Sequence, residues 1–516
     1  MKNKNDSKIK NKKQNTANEP DILQSLTSIY IAGILGALPL IVSGGYANIT
    51  ATKSKSFYTM TIIYIVLVCL GGIFVRLPAK EKTLKGLRKP YALDVSVILF
   101  GISALMSSLM SEYQNDVWYG QHSRYQGCVT IILYVAVYFA VSRNFSFGNG
   151  ALIAATAAFS AVCMVGLFNC FDIDVLGIYS VIEESSKKIC ISTIGNVNFF
   201  SSYVCLLLPL AICGFCQAKE RLSIAVYLIA VVMGTLGAMM TSSESFVAGF
   251  VASVVIMALI FLKDADKTKC LILAVGLIFI VAQIFRLFCS FAKEPNYKVS
   301  ELLSILTHPV VTALILAVLA VIYAVVTKEP QSVIIIRKGF IVVATLACAS
   351  VGMLIVMANT VLSDVTFAGL DKYIKFTADW GTDRGQIWKM CIELYKNFSL
   401  KEKLFGIGPE ALYKITGTQG NFEAIVDQAH NEYLQHLLTI GLAGLASYIG
   451  MIVSTCVVAV KYLKNNPLGI AAFAGLVAYW IQAAFNLAQP FTTPVMYLYI
   501  ACIGGLALKA KHSENC

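Results

Sequence analysis

Long apolar runs recur along almost the whole of this 516-residue chain, and they constrain its fold more than any other feature. A run of about 17 to 25 apolar residues crosses a bilayer as one α-helix, because in lipid each backbone N–H and C=O must pair within the segment. Such runs fall near residues 26–47, 57–75, 91–110, 128–142, 150–169, 196–216, 223–240, 246–262, 270–290, 308–327, 339–359, 435–460, 467–487 and 494–509. The chain therefore reads as all-α, a polytopic transmembrane helical bundle of about 12–14 spans. Composition agrees, with 57% of residues hydrophobic and only 14% charged, against about 25% charged in a soluble domain.

Residues 1–24 form a polar tail carrying Lys2, Lys4, Lys8, Lys10, Lys12 and Lys13, which reads as disordered. The apolar stretch after it is too long for a signal-peptide core and no cleavage site follows, so it is expected to stay as the first span. With the tail in the cytoplasm, every even-numbered connector is cytoplasmic, and each is basic. They carry Arg76 through Lys89, Arg143, Lys219 with Arg221, Lys263 through Lys269, Lys328 through Lys338, and Lys461 with Lys464; Lys509 and Lys511 close the series. This is the positive-inside pattern, and it sends the polar segment 360–434 outward. The expected division is a cytoplasmic tail (1–24), a bundle (25–359), an extracytoplasmic catalytic loop (360–434), C-terminal spans (435–509) and a short cytoplasmic tail (510–516). The net charge of +12 is then topology plus contact with anionic inner-leaflet lipid, not a nucleic-acid surface. Most of the fifteen cysteines lie in spans as small apolar residues, while Cys170 and Cys190 share an outer connector and are left open as a pair.

The outer loop holds Trp380-Gly-Thr-Asp-Arg384-Gly-Gln-Ile-Trp388 and Asp427-Gln-Ala-His430-Asn-Glu-Tyr433. Thr382 or Asp383 is placed to cap a helix, with Ile387, Trp388, Cys391, Ile392 and Tyr395 recurring on one face. Gly406-Ile-Gly408-Pro409 breaks the chain, and Pro409 suits the start of the next short helix. A third helix, from about Glu423, is expected to run into the span near 435, putting His430 just above the membrane. Arg384 falls at a helix N-terminus, where backbone N–H groups also favour an anion.

These residues resemble the O-antigen ligase and O-antigen polymerase family, bacterial membrane glycosyltransferases that use undecaprenyl-diphosphate-linked glycans. The resemblance lies in a tryptophan-flanked arginine, a Gly-x-Gly turn, and His430-Asn431 followed by nine residues, Gly441, two residues and Gly444. Arg124-Tyr-Gln-Gly127 is similar to the family's Arg-x-x-Gly stretch, and Gly195-Asn-Val-Asn198 to its Gly-Asn-x-Asn entry. Thr241-Ser-Ser-Glu244 departs from it, since many members have Ser-Arg there. The resemblance implies an enzyme of the cell envelope, in the bacterial cytoplasmic membrane with both termini inside. Its partners would be a lipid-linked glycan donor, an acceptor glycan, lipid or protein, and membrane lipids, with no nucleic acid and no cofactor. It implies that Arg384 grips the diphosphate and that His430 activates the acceptor.

The chemistry suits that reading. An arginine fork binds phosphate oxygens through two parallel hydrogen bonds, and histidine titrates closest to working pH. Arg124 offers a second phosphate contact. Trp118, Trp388 and Tyr433 offer faces or hydroxyls for a sugar, Asn431 a polar contact, and Asp427 a partner to orient His430. Taken singly, each has a bland reading, as a headgroup anchor, an interfacial aromatic or a structural histidine; the joint pattern carries the expectation. Asp172-Ile-Asp174 is a weak metal candidate and no zinc spacing occurs, so no metal is expected. A lipid-linked oligosaccharide flippase is the alternative, though transporters concentrate ionisable residues near mid-membrane rather than in an outer loop.

Overall fold

The computed structural model describes residues 21–73, 91–120, 124–291, 297, 299–367, 369–418, 426–463 and 466–514. The tail before residue 21, the basic connector at 76–89, the helix start expected at Glu423 and Lys464 lie outside the described residues. The first half of the chain gives α1 (Ile22–Leu40), α2 (Gly45–Gly71), α3 (Ala92–Met110), α4 (Gln114–Val117), α5 (Cys128–Arg143) and α6 (Asn149–Cys170). A two-stranded hairpin follows, β1 (Cys190–Ile191) antiparallel to β2 (Gly195–Asn196). Then come α7 (Val197–Phe215), α8 (Arg221–Met239), α9 (Glu244–Phe261), α10 (Ala265–Phe291), α11 (Glu301–Leu306), α12 (Pro309–Lys328) and α13 (Val333–Ala358). The loop region holds α14 (Asp371–Ile374), α15 (Trp380–Asn397), α16 (Leu400–Phe405), α17 (Leu412–Thr418) and α18 (Glu432–Thr439). The chain closes with α19 (Gly441–Tyr462), α20 (Pro467–Ala483) and α21 (Thr493–Glu514).

Among the described residues, 12 helices are long and apolar enough to cross a membrane; the shorter apolar α5 and α20 bring the segments level with the runs read from sequence. The protein is an integral membrane protein with an all-α polytopic bundle. In its core, α20 packs between α7 and α9, α19 against α3, and α21 against α5. The contacts are close: a Cβ on Gly249 would sit 2.6 Å from the Ala478 carbonyl oxygen, and one on Gly475 would sit 2.7 Å from that of Leu206. Small residues let membrane helices approach backbone to backbone, where packing rather than water exclusion holds them together. By contrast α13 buries only Val333 and Ala358, near its ends.

Several boundaries differ from the sequence reading. The first connector is only the turn before Gly45, and Lys53, expected in a watery connector, is fully buried on α2. Its Nζ donates to the carbonyls of Leu38 and Pro39 at 2.9 and 2.6 Å, which closes the last turn of α1. The final helix runs to Glu514, beyond the apolar run that ends near residue 509. Cys170 and Cys190 are both free thiols.

The loop region has a small core of its own, built from Val117, Cys391, Leu394, Phe398, Leu412 and Leu438. Leu394 takes the place expected for Ile392, which is 48% exposed. This layer is fastened to the end of α3, where Ser107 Oγ donates to the Thr439 carbonyl at 2.6 Å and Ser111 Oγ to that of Ile407 at 2.5 Å.

Candidate active site

The glycines of the loop fix where its charged residues stand. The turn after α16 crosses the break between α18 and α19, with the Ile407 and Gly408 amides donating to the carbonyls of Leu438 and Thr439 at 3.1 and 2.9 Å. Gly406 and Gly441 adopt φ of +78° and +72°, and a Cβ on either would lie 2.3–2.4 Å from the other strand's backbone. Only glycine meets both demands. The spacing from His430 to Gly441 is thus a packing constraint that sets the end of α18 against the Gly-x-Gly turn. The sequence expectation of one continuous helix through 435 fails here, since α18 ends at a left-handed glycine and the span begins at 441.

His430 precedes α18 instead of lying on it. Its φ is +49°, and Asn431 is the N-cap, its side-chain oxygen accepting from the Leu434 amide at 3.0 Å. The turn is pinned from three sides: Trp388 Nε1 donates to the Ala429 carbonyl at 3.0 Å, the Ala429 amide donates to Gln435 at 2.9 Å, and Gln428 Nε2 donates to Glu410 at 3.0 Å. Arg384 begins the regular part of α15 after three residues, Gly381, Thr382 and Asp383, in left-handed conformation. Thr382 and Asp383 are therefore a strained approach to the helix and not ordinary caps. Pro409 likewise starts no helix; Glu410 follows it at φ +62°, and α17 begins at Leu412. Of the eight non-glycine residues with positive φ among the described residues, five (Tyr125, Thr382, Asp383, Glu410 and His430) belong to this region. Strain of this kind costs about 1–3 kcal/mol per residue and gathers at functional sites.

The structure brings Arg384, Arg124 and Asp427 within electrostatic reach of His430. Arg124 pairs with Asp427, Nη2 and Nε lying 2.6 and 2.8 Å from one carboxylate oxygen. Asp427 is therefore engaged by an arginine from another connector, and in this arrangement it does not bond to His430. Arg384 donates through Nη1 to the Gly381 carbonyl at 2.6 Å, while its buried Nε–H has no partner among the described residues. Burial pushes the Arg384 guanidinium below its ordinary value. His430 is held down to about 4, by burial first and then by the charges of Arg384 and Arg124, with Asp427 opposing. Its ring is neutral at pH 7 and makes no hydrogen bond to the described residues.

The remaining candidates are taken up by bonds within the protein. Tyr433 donates to the Trp480 carbonyl at 2.7 Å, and Trp118 packs into the loop core with Nε1 on Gln114 at 3.2 Å. An aromatic wall is formed instead by Trp380 and Trp388, which flank Arg384 in sequence, together with Phe485, with ring centroids 5.1–6.4 Å apart. Glu432 turns into the bundle to accept from Tyr479 and Tyr448 at 2.5 and 3.2 Å. Asp174 receives the amides of Ile178 and Tyr179 at 3.0 and 2.8 Å, and Glu244 those of Glu301 and Leu302 at 2.9 and 3.1 Å. Arg286 holds Ser304, and Asp94 pairs with Arg143. Sequence reasoning missed Glu410, a partly buried carboxyl pushed up to about 8, chiefly by burial. Its only signal was its position two residues after the Gly-x-Gly turn.

Fold and site together define an integral membrane protein that gathers two arginines, a histidine and carboxyl groups where its loop layer meets the bundle. Residues 302–449 match the family model described as O-antigen ligase, so this stretch of the chain is similar to that family. No curated protein matches the chain.

Proposed function

We propose that the protein transfers glycan from a polyprenyl-diphosphate carrier to an acceptor hydroxyl on the outer face of the bacterial cytoplasmic membrane, with both termini in the cytoplasm. The observation that carries this reading is the buried, unpartnered Nε–H of half-buried Arg384, which acts with Arg124 on His430. A buried donor left without an acceptor costs about 1–3 kcal/mol, and a diphosphate oxygen restores the missing bond. Arg384 takes the diphosphate, Arg124 adds a second positive charge as its bond to Asp427 is shared or exchanged, and neutral His430 orients the acceptor hydroxyl. The two arginines stabilise charge that grows on the diphosphate as it leaves, so they act most strongly in the transition state. Direct displacement by the acceptor inverts the anomeric centre, and these residues supply the required charge without a metal. The domain division at 360 and 434 belongs to the same proposal, with the catalytic layer formed by the outer loop.

The test is transfer by purified protein from undecaprenyl-diphosphate glycan with EDTA present, comparing wild type with His430→Ala. A ladder of longer glycans that vanishes in the variant identifies a metal-independent polymerase, and a single-step shift onto added acceptor identifies a ligase. Equal product from both proteins rules out the role given to His430. Movement of unaltered donor across sealed vesicles, without product, would instead favour a flippase.

A further inference from the structure

The chain on either side of His430 borders a cavity of about 40 Å³. Gln428 and Glu432, two residues before it and two after, both line that cavity, as do Glu410 and Gln435. Side chains beside an open space lack packing partners on that side, so packing alone fixes the turn poorly there. Hydrogen bonds hold it instead. Asn431 and Gln435 brace its shape through the Leu434 and Ala429 amides. Longer ties set its place: Trp388 and Glu410 hold the residues before His430, and the residues after it are tied into the bundle.

The tie into the bundle centres on Glu432, the first residue of α18, which is only 2% exposed. Its two carboxyl oxygens accept from two different helices, Oε1 from the Tyr479 hydroxyl of α20 at 2.5 Å and Oε2 from the Tyr448 hydroxyl of α19 at 3.2 Å. The Tyr479 hydroxyl also lies 3.1 Å from Thr493 Oγ1 at the start of α21. The next residue, Tyr433, donates to the Trp480 carbonyl of α20 at 2.7 Å. Because α20 packs between α7 and α9, these bonds refer the His430 turn to the core of the bundle.

A buried carboxyl group is a poor device for stability alone, since desolvating it is costly and apolar residues of similar volume commonly replace such groups without loss. What apolar packing does not supply is direction. Two hydroxyl donors on separate helices fix both carboxyl oxygens, and with them the orientation of the chain that leads back to His430. We propose that Glu432, with Tyr479 and Tyr448, positions His430: the tie sets the turn so that the ring meets the acceptor hydroxyl. This rests on the transfer reading above. None of the three touches the reacting atoms; each acts through the backbone of residues 430–432.

The experiment uses the full chain in detergent, as wild type, Glu432→Gln, Tyr479→Phe and the triple variant Glu432→Leu/Tyr448→Phe/Tyr479→Phe. Three quantities are read: transfer kinetics from undecaprenyl-diphosphate glycan, melting temperature, and the rate at which diethylpyrocarbonate modifies His430, mapped by mass spectrometry. The triple variant swaps the tie for apolar groups of similar volume, so it should melt at or above wild type. A misplacement of about 1 Å can slow a reaction about 10²-fold, so its kcat should fall at least about tenfold with donor KM nearly constant. His430 should be modified several-fold faster, and Glu432→Gln, which still accepts at one oxygen, should recover part of kcat. Wild-type kcat and modification rate in a normally melting triple variant overturn the proposal. So does a lower melting temperature with kcat per folded molecule unchanged, which marks a purely structural tie. Absence of transfer by wild type overturns the transfer reading, while the modification rates still decide the tie: faster at His430 upholds it, equal overturns it. Should the triple variant fail to fold, Tyr479→Phe carries the same test with a smaller expected effect.

Discussion

Two charged clusters sit near opposite ends of α3, and they are built on opposite rules. At its start, Asp94 pairs with Arg143 at 2.8 Å, accepts from Tyr138 at 2.6 Å, and accepts the Tyr91 amide at 3.2 Å. Arg143 also bonds Ser142 and lies 4.6 Å over the Phe139 ring. Past the other end of α3, Arg124 and Asp427 share a single contact oxygen, Arg384 keeps a buried donor unused, and His430 has a ring without a bond to the described residues. The first cluster is satisfied and therefore structural. The second holds back hydrogen-bonding capacity in a strained setting, as a binding site must if its ligand is to gain from entering.

The comparison breaks most readily at Arg384. Arg384→Ala is expected to reduce transfer about 10²- to 10³-fold while leaving the melting temperature unchanged or slightly higher, because it removes a buried donor that has no partner. Arg384→Lys keeps the charge but not the fork and should recover only part of the rate. Wild-type transfer in Arg384→Ala, measured on protein that melts normally, would end the contrast. Asp94→Ala should do the reverse. It should lower stability by about 2–3 kcal/mol, less than the loss of a wholly buried pair because Arg143 is 35% exposed, with little change in rate per folded molecule. Thermal melts in detergent beside transfer rates measure both. The smallest effect is expected of Trp388→Phe, which keeps the aromatic wall but loses the bond to the Ala429 carbonyl. It should weaken the His430 turn by about 1 kcal/mol and slow transfer several-fold, with donor KM nearly constant.

The legibility of the sequence follows the range of the forces involved. Apolar runs report their environment directly, so the segments appeared one for one in α1–α3, α5–α10, α12, α13 and α19–α21. Where the chain left lipid, local rules failed in definite ways. Thr382 and Asp383 looked like helix caps and proved left-handed, Pro409 preceded a strained turn, and the expected helix across 435 broke at Gly441. At Gly441 a close backbone crossing, and after Pro409 the bond from Gln428 to Glu410, override local propensity.

Sequence alone determined the membrane class and a pattern of arginine, glycine turn and His-Asn that resembles the O-antigen ligase family, because hydrophobicity and motif spacing are properties of the chain read in order. Tertiary structure decided which charges meet. Arg124 and Asp427, 303 residues apart, share an oxygen; Asn431 and Tyr433 are taken up by helix capping and packing; and Glu410 faces the cavity. The physical reason is that electrostatics and burial depend on separation in space, which no local pattern encodes, whereas the cost of leaving a polar backbone in lipid is settled segment by segment.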